Sequence, residues 1–184
     1  MKPDTVTNLR HRIAAGLAAV LLFSFLLPCS PSSVAAAPPP ISTHAAAAAV
    51  IDVDSGRIIY EHRADERLPI ASITKVMTAI IAIEQGTLSD KVKVSKNAYG
   101  MEGSSLYLRL GEEMTLETMI YGMMLRSGND AAMAIAEHVG GSEEGFVYLM
   151  NEKARLLGMK NTSFRNPHGL DEEGHYSSAR DMAI

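Results

Sequence analysis

Apolar residues recur at helical spacing in the second half of the chain, most clearly between residues 115 and 125. One face of this stretch would consist of Leu116, Met119, Ile120, Met123 and Met124. Thr115 is a favourable N-cap residue, so we predict that the helix begins there. Methionines at this spacing are typical of core filling rather than of a cofactor site.

Two more helices are predicted directly downstream. Residues 131–139 are mostly small and apolar and precede Gly140-Gly141, which predicts a buried helix with a glycine stop. Ser142 would cap the next helix, and Gly158 would follow its end. The apolar face of this last helix would consist of Phe146, Leu149, Met150, Ala154 and Leu157.

Strand signals are confined to the region before residue 111. Residues 45–53 and 57–60 flank Asp54-Ser55-Gly56, and this arrangement predicts a β-hairpin. From Thr87 to Gly111 turn residues dominate, and we predict only short strands at residues 92–94 and 106–110.

The most apolar predicted helix follows Pro69 and runs to Gln85. Its interior, residues 76–83, is apolar nearly all round, which predicts burial between other elements. Gly86 would end the helix in a left-handed conformation.

The first turn of this helix contains Ser72 and, three residues later, Lys75. Positions i and i+3 share a helix face, so the lysine amine can reach the serine hydroxyl. A serine becomes a good nucleophile when a neighbouring base takes its proton. Lysine can be that base if its pKa is lowered, and apolar walls would do so. The flanking apolar residues are Ile70, Ile73, Val76 and Met77.

A second polar group of residues lies between two predicted helices. Ser127, Gly128 and Asn129 fall in a short loop, where side chains can project into a cleft while the helices fix their positions. Ser, Gly and Asn are also ordinary turn residues, so this triplet alone would indicate only a turn.

The N-terminus has the pattern of a secretory signal peptide. Basic residues precede an apolar run at residues 13–27, and small residues follow, so we predict a signal peptide at 1–36 and an Ala/Pro-rich linker at 37–44. The alternatives are an uncleaved signal acting as an anchor and a lipoprotein box at Cys29. All of these readings predict an exported, extracytoplasmic protein with a single domain at residues 45–184, and the two alternatives would also attach it to a membrane.

Composition narrows the functional classes further. Removing residues 1–36 leaves 14 basic and 20 acidic side chains, a net charge of −6, and no cysteine. A disulfide is then impossible, and an acidic chain without a basic surface argues against a nucleic-acid partner.

Four segments occur in order along the chain, namely Leu68-Pro69-Ile70-Ala71-Ser72-Ile73-Thr74-Lys75, Ser127-Gly128-Asn129-Asp130, Asn166-Pro167-His168-Gly169-Leu170 and His175-Tyr176-Ser177-Ser178-Ala179-Arg180-Asp181. Together they resemble the serine D-alanyl-D-alanine carboxypeptidases, which are low-molecular-mass penicillin-binding proteins, and the resemblance covers residues 45–184. It implies an α+β, penicillin-binding/β-lactamase-like fold with a central buried helix that carries the nucleophile.

The resemblance also implies roles for the site residues. Ser72 would attack the D-Ala-D-Ala bond of a peptidoglycan stem peptide and form an acyl-enzyme. Lys75 would take the Ser72 proton, Ser127 would relay a proton to the leaving amine, and Asn129 would bind the substrate amide. β-Lactam antibiotics would acylate the same serine, and no cofactor or metal is implied.

One motif of this family is missing. No Lys-Thr-Gly or Lys-Ser-Gly tripeptide occurs in the chain, although relatives use that strand to bind the substrate carboxylate and complete the oxyanion hole. The C-terminal membrane-anchor segment of many relatives is also absent. We therefore expect a fragment, truncated before the K-T-G strand and inactive when produced alone.

Three other functions remain open at this point. A non-catalytic homologue that binds or scaffolds is suggested by the missing strand. A class A β-lactamase would need a deacylating Glu, and residues 161–166 contain none. A metal peptidase is suggested by the proximity in sequence of His168, Asp171 and His175.

Overall fold

The computed structural model describes residues 43–184, so the predicted signal peptide and nearly all of the predicted linker lie outside the described residues. The elements in chain order are β1 (Ala48–Ile51), β2 (Ile58–His62), a 3-10 turn (Ala71–Ile73), α1 (Thr74–Gln85), β3 (Lys91–Lys93), β4 (Glu113–Thr115), α2 (Leu116–Arg126), α3 (Asn129–Gly140), α4 (Glu143–Leu157) and α5 (Ala179–Ala183). The predicted α+β class is confirmed by this mixture of helices and small antiparallel sheets.

The predicted hairpin is confirmed, with β1 and β2 antiparallel and Ala48 opposite His62. The predicted strand at 92–94 corresponds to β3, shifted by one residue toward the N-terminus. Its partner is β4, with Val92 opposite Met114. The predicted strand at 106–110 is wrong, because the backbone amides of Leu106 and Leu108 donate to a buried carboxylate instead of to a neighbouring strand.

The core lies between α1, α2, α3 and α4. Helix α3 is buried along Ala131–Ala136, where small side chains let the neighbouring helices approach closely. The largest fully buried side chains around it include Phe146, Phe164, Ile81 and Leu116. Since α1 also packs on α2, α3 and α4, its N-terminal end is held on several sides.

Two predictions about α1 are wrong in detail. The helix is buried on one face only, and Val76 and Ile83 are 42% and 55% exposed. Gly86 is extended, with φ −92°, rather than left-handed. A Cβ at Gly86 would lie 2.4 Å from Leu116 Cδ2 and 2.7 Å from the Ala82 carbonyl oxygen. Glycine is therefore required there by close packing against α2.

Three other helix caps predicted from the sequence are confirmed. Thr115 accepts from the Thr118 amide, Ser142 accepts from the Gly145 amide, and Gly158 follows α4 with φ 77°. Within residues 43–184, no helix combines the length and the hydropathy needed to cross a bilayer.

Candidate active site

Ser72 and Lys75 lie at the N-terminal end of α1. Ser72 is exposed in the 3-10 turn rather than in the α-helix itself, and Ala71 before it has φ 45°. Lys75 is the second residue of α1 and donates from Nζ to Ser72 Oγ at 3.1 Å. The predicted pairing of these two side chains is therefore present in the structure.

Lys75 is 2% exposed, although it carries an amine. Its Nζ also donates to Asn129 Oδ1 at 2.7 Å and to the His168 carbonyl oxygen at 2.6 Å. Burial lowers the pKa of Lys75 from 10.5 to about 8. Near neutral pH, this places an appreciable fraction of the amine in its neutral, basic form.

The walls of this site differ from those predicted. Ile70 and Met77 are buried, but Ile73 is 54% exposed, so apolar residues enclose the amine only in part. The remaining enclosure comes from Asn129 and the backbone at His168, which are both buried and polar.

The three contacts of Lys75 determine the direction of its lone pair. A neutral lysine has two N–H groups and one lone pair. The Asn129 Oδ1 and His168 carbonyl oxygens carry no hydrogen, so each must accept one of these N–H groups. The lone pair is then left facing Ser72 Oγ, whose hydroxyl can donate to it. This is the arrangement that a general base requires before it accepts a proton.

The sequence had suggested that Asn129 lies in the loop between two helices. This prediction is wrong, because Asn129 is the first residue of α3. Its backbone amide donates to the Ser104 carbonyl at 2.7 Å, and its Nδ2 donates to the Glu102 carbonyl at 2.7 Å. Because Nδ2 is used in this way, Oδ1 points to Lys75. The segment 102–104 therefore sets the orientation of the amide.

Ser127 ends α2 in a left-handed conformation, with φ 57°, and is half-buried. Among the described residues, its hydroxyl makes no hydrogen bond to Ser72 or Lys75. The structure thus brings Ser72, Lys75 and Asn129 into one hydrogen-bonded group, and Ser127 lies beside that group in sequence without joining it.

Asp130 follows Asn129 in α3, and the sequence analysis gave it no role of its own. It is 1% exposed and accepts from the Ser105 hydroxyl and from the amides of Leu106, Leu108 and Ala131. Burial alone would raise its pKa, but these hydrogen bonds outweigh that effect and hold the pKa below its ordinary value. An acidic residue in the first turn of a helix is the sequence signal that could have identified it.

The histidines of the suspected metal group have structural partners. His175 Nδ1 accepts from the Arg165 amide, so its Nε2 carries the hydrogen and donates to Thr74 Oγ1 at 2.8 Å. Burial, followed by the nearby Lys75 and His175, lowers the pKa of His168 to about 4. Between residues 43 and 184, no group of three His, Cys, Asp or Glu side chains is arranged to hold a metal ion. The structure gives the metal-peptidase reading no support.

Comparison with known proteins identifies relatives of the whole described region. A family model described as D-alanyl-D-alanine carboxypeptidase, peptidase S11, matches residues 32–184. D-alanyl-D-alanine carboxypeptidase DacF of Bacillus subtilis strain 168 is 46% identical over 177 residues, which are 91% of this chain and 46% of the relative. DacC of Escherichia coli K12 is 38% identical, covering 92% of this chain and 45% of the relative. The chain therefore spans less than half the length of these relatives.

Solved structures share the same fold. The D-alanyl-D-alanine carboxypeptidase DacD from Francisella tularensis superposes with a TM-score of 0.76 at 37% identity, covering 80% of this chain and 37% of that one. The D-alanyl-D-alanine carboxypeptidase from Mycobacterium tuberculosis H37Rv superposes with a TM-score of 0.75 at 30% identity, covering 82% of this chain and 57% of that one. The predicted penicillin-binding-protein fold is confirmed. The chain belongs to the D-alanyl-D-alanine carboxypeptidase family of serine peptidases, S11, among the low-molecular-mass penicillin-binding proteins.

Proposed function

We propose that this protein removes the terminal D-alanine from peptidoglycan stem peptides through an acyl-enzyme on Ser72. One observation carries the proposal, namely the hydrogen bond of 3.1 Å between the buried Lys75 Nζ and Ser72 Oγ. Family membership supports the same reaction, and the substrate class follows from the names of the relatives.

The reaction would proceed in two stages. Lys75 takes the Ser72 proton while Oγ attacks the carbonyl carbon of the D-Ala-D-Ala bond. The C–N bond then breaks, the departing amine takes the proton that Lys75 gives up, and D-alanine leaves. Water then attacks the Ser72 ester while the neutral Lys75 takes a proton from it. The ester C–O bond breaks, and Lys75 returns that proton to Ser72 Oγ, which restores the free hydroxyl.

Ser127 and Asn129 would assist this chemistry. We propose that Ser127 relays the proton to the leaving amine, a role that is supported by its place two residues before the lysine-bound Asn129. Asn129 would contact the substrate amide in addition to holding Lys75. The position of Ser72 at the start of α1 also favours the negative charge that develops on its oxygen.

β-Lactams and cellular location belong to the same proposal. A β-lactam presents a strained amide, and after Ser72 attack its amine stays tethered to the acyl group. Because the leaving group cannot depart, the ester persists. The peptidoglycan substrate and the predicted signal peptide at 1–36 together support an exported, extracytoplasmic location.

The test uses the full-length natural chain with a synthetic peptide ending in D-Ala-D-Ala. We expect release of D-alanine, and we expect a fluorescent penicillin to form a stable adduct that mass spectrometry maps to Ser72. Ser72→Ala should abolish both. Ser89→Ala, at an exposed serine before β3, is the matched control and should change neither.

Other outcomes would support the alternatives. Rapid turnover of penicillin would favour a β-lactamase, and loss of activity with a chelator would favour a metal peptidase. Binding of the stem peptide without release of D-alanine would favour a non-catalytic homologue.

A further inference from the structure

Two buried side chains hold the turn at residues 166–170, namely His168, whose Nδ1 accepts from the Leu170 amide at 3.2 Å, and Asn166. Asn166 is 2% exposed, and its Oδ1 accepts from the Gly169 amide at 2.7 Å. Its Nδ2 donates to the Leu170 carbonyl and to Glu172 Oε2, each at 3.0 Å. The Asn166 amide thus uses its acceptor and one donor within the turn, and its other donor on Glu172, two residues beyond the turn.

The closed turn presents two carbonyl groups to α1. The Pro167 carbonyl accepts from Thr78 Oγ1 at 2.7 Å, and the His168 carbonyl accepts from Lys75 Nζ at 2.6 Å. Thr78 lies one helical turn beyond Lys75, so the two contacts fix the turn along the helix. Thr78 is completely buried, so this second contact is shielded from water.

The turn also touches the segment that carries the nucleophile. Gly169 has φ 88°, and a Cβ there would lie 1.9 Å from the Ala71 carbonyl oxygen. The backbone of the turn therefore contacts the residue before Ser72 directly. A shift of the turn would change the position of both the His168 carbonyl and the serine.

We propose that Asn166 is a positioning residue for the general base. By holding the turn closed, it keeps the His168 carbonyl on one N–H of Lys75 and so directs the lone pair to Ser72. This inference rests on the proposed function, because it gives Asn166 a role in the acylation step. Asn166 itself does not touch the substrate.

The substitution Asn166→Asp isolates this role. The carboxylate can still accept from the Gly169 amide, but it cannot donate to the Leu170 carbonyl or to Glu172 Oε2. It instead places a negative charge against the Glu172 carboxylate, which pushes the turn open. Adding Glu172→Gln removes that repulsion and restores a donor opposite residue 166.

The experiment measures acylation of the full-length chain by a saturating fluorescent penicillin, at several pH values up to the plateau above the Lys75 pKa. We expect Asn166→Asp to slow the plateau acylation rate constant by about 10²-fold, as a displacement near 1 Å typically does. The dissociation constant for non-covalent penicillin binding should stay the same. The double variant Asn166→Asp/Glu172→Gln should recover most of the rate.

Asn151→Asp is the matched control. Like Asn166, Asn151 accepts from one backbone amide, at Phe164, and donates twice, to the Val147 and Phe164 carbonyls, but it makes no hydrogen bond to Lys75 or to the hydrogen-bond partners of Lys75. We expect it to lower stability and the labelled fraction while leaving the acylation rate constant of the folded protein unchanged. If Asn166→Asp does not fold, Asn166→Ala provides the same measurement without a buried charge.

The outcomes separate this inference from the proposed function. If the unaltered protein is acylated at Ser72 and the position-166 variants acylate at the same rate, only the positioning role is overturned. A rate loss that Glu172→Gln does not restore, or that Asn151→Asp shares, also overturns it. If the unaltered protein is not acylated at all, both proposals fail.

Discussion

Raising the pH from 7 to 9.5 should stabilise the folded protein through Lys75. The folded-state pKa of about 8 lies below the ordinary value of 10.5. Between these two values the unfolded chain binds more protons than the folded chain, so the free energy of unfolding rises with pH. Over this interval, the two pKa values give a gain of at most about 2 kcal/mol.

The same pKa should govern acylation. At pH 7 about a tenth of Lys75 is neutral, so the acylation rate constant should rise about tenfold and level off above pH 9. His168, whose carbonyl bonds the amine, does not titrate in this interval because its pKa is about 4. The pKa of Lys75 therefore predicts both the midpoint of the pH profile of acylation and the pH at which the stability gain begins.

Two assays on the full-length chain test this prediction. Urea unfolding at pH 7 and pH 9.5 is compared between the unaltered protein and Lys75→Met. The contributions of other titrating groups to the pH dependence of stability then cancel in the difference. Time courses with a fluorescent penicillin give the rate profile. A flat acylation profile between pH 6.5 and 9, or an equal pH dependence of stability in both proteins, would refute the assignment of Lys75 as a buried base.

Three further predictions concern groups around the site. Asp130→Asn should cost about 3 kcal/mol in urea unfolding, because the new amide N–H group faces backbone donors, and it should also slow acylation. Gly158→Ala should cost about 1 kcal/mol, because Gly158 has a positive φ but open space around it. Gly169→Ala should be far more destabilising, because Gly169 also has a positive φ and lies against the Ala71 carbonyl. Ser142→Ala should cost about 1 kcal/mol by removing a helix cap, with the acylation rate unchanged.

The helices and the contact between Ser72 and Lys75 could be predicted because their signals are local. A cap such as Thr115 or Ser142 acts on the amide three residues later, and Ser72 and Lys75 meet through helical spacing. Neither relation depends on where the rest of the chain lies. Hydrophobic periodicity likewise needs only the sequence of the helix itself.

The errors arose where distant groups override local preference. The segment 106–110 alternates like a strand, but Asp130, more than twenty residues later, takes the amides of Leu106 and Leu108. Gly86 has the residue type of a left-handed helix stop, but it is extended, and a glycine is needed there because Leu116 of α2 leaves no room for a Cβ. In both cases the deciding contact is tertiary, so no local pattern could reveal it.

The most consequential contact of the site has no side-chain signature at all. Lys75 is bound by a backbone carbonyl 93 residues away, and every residue type offers that group. The sequence can therefore single out Lys75 as the proposed base, but it does not reveal what would direct the lone pair of that amine. Direction comes from the shape of the turn at 166–170, and that shape depends on the Asn166 amide and on the close contact of Gly169 with Ala71. A general base needs orientation as well as a suitable pKa, so the chemistry of Ser72 depends on residues that neither react nor lie near it in sequence.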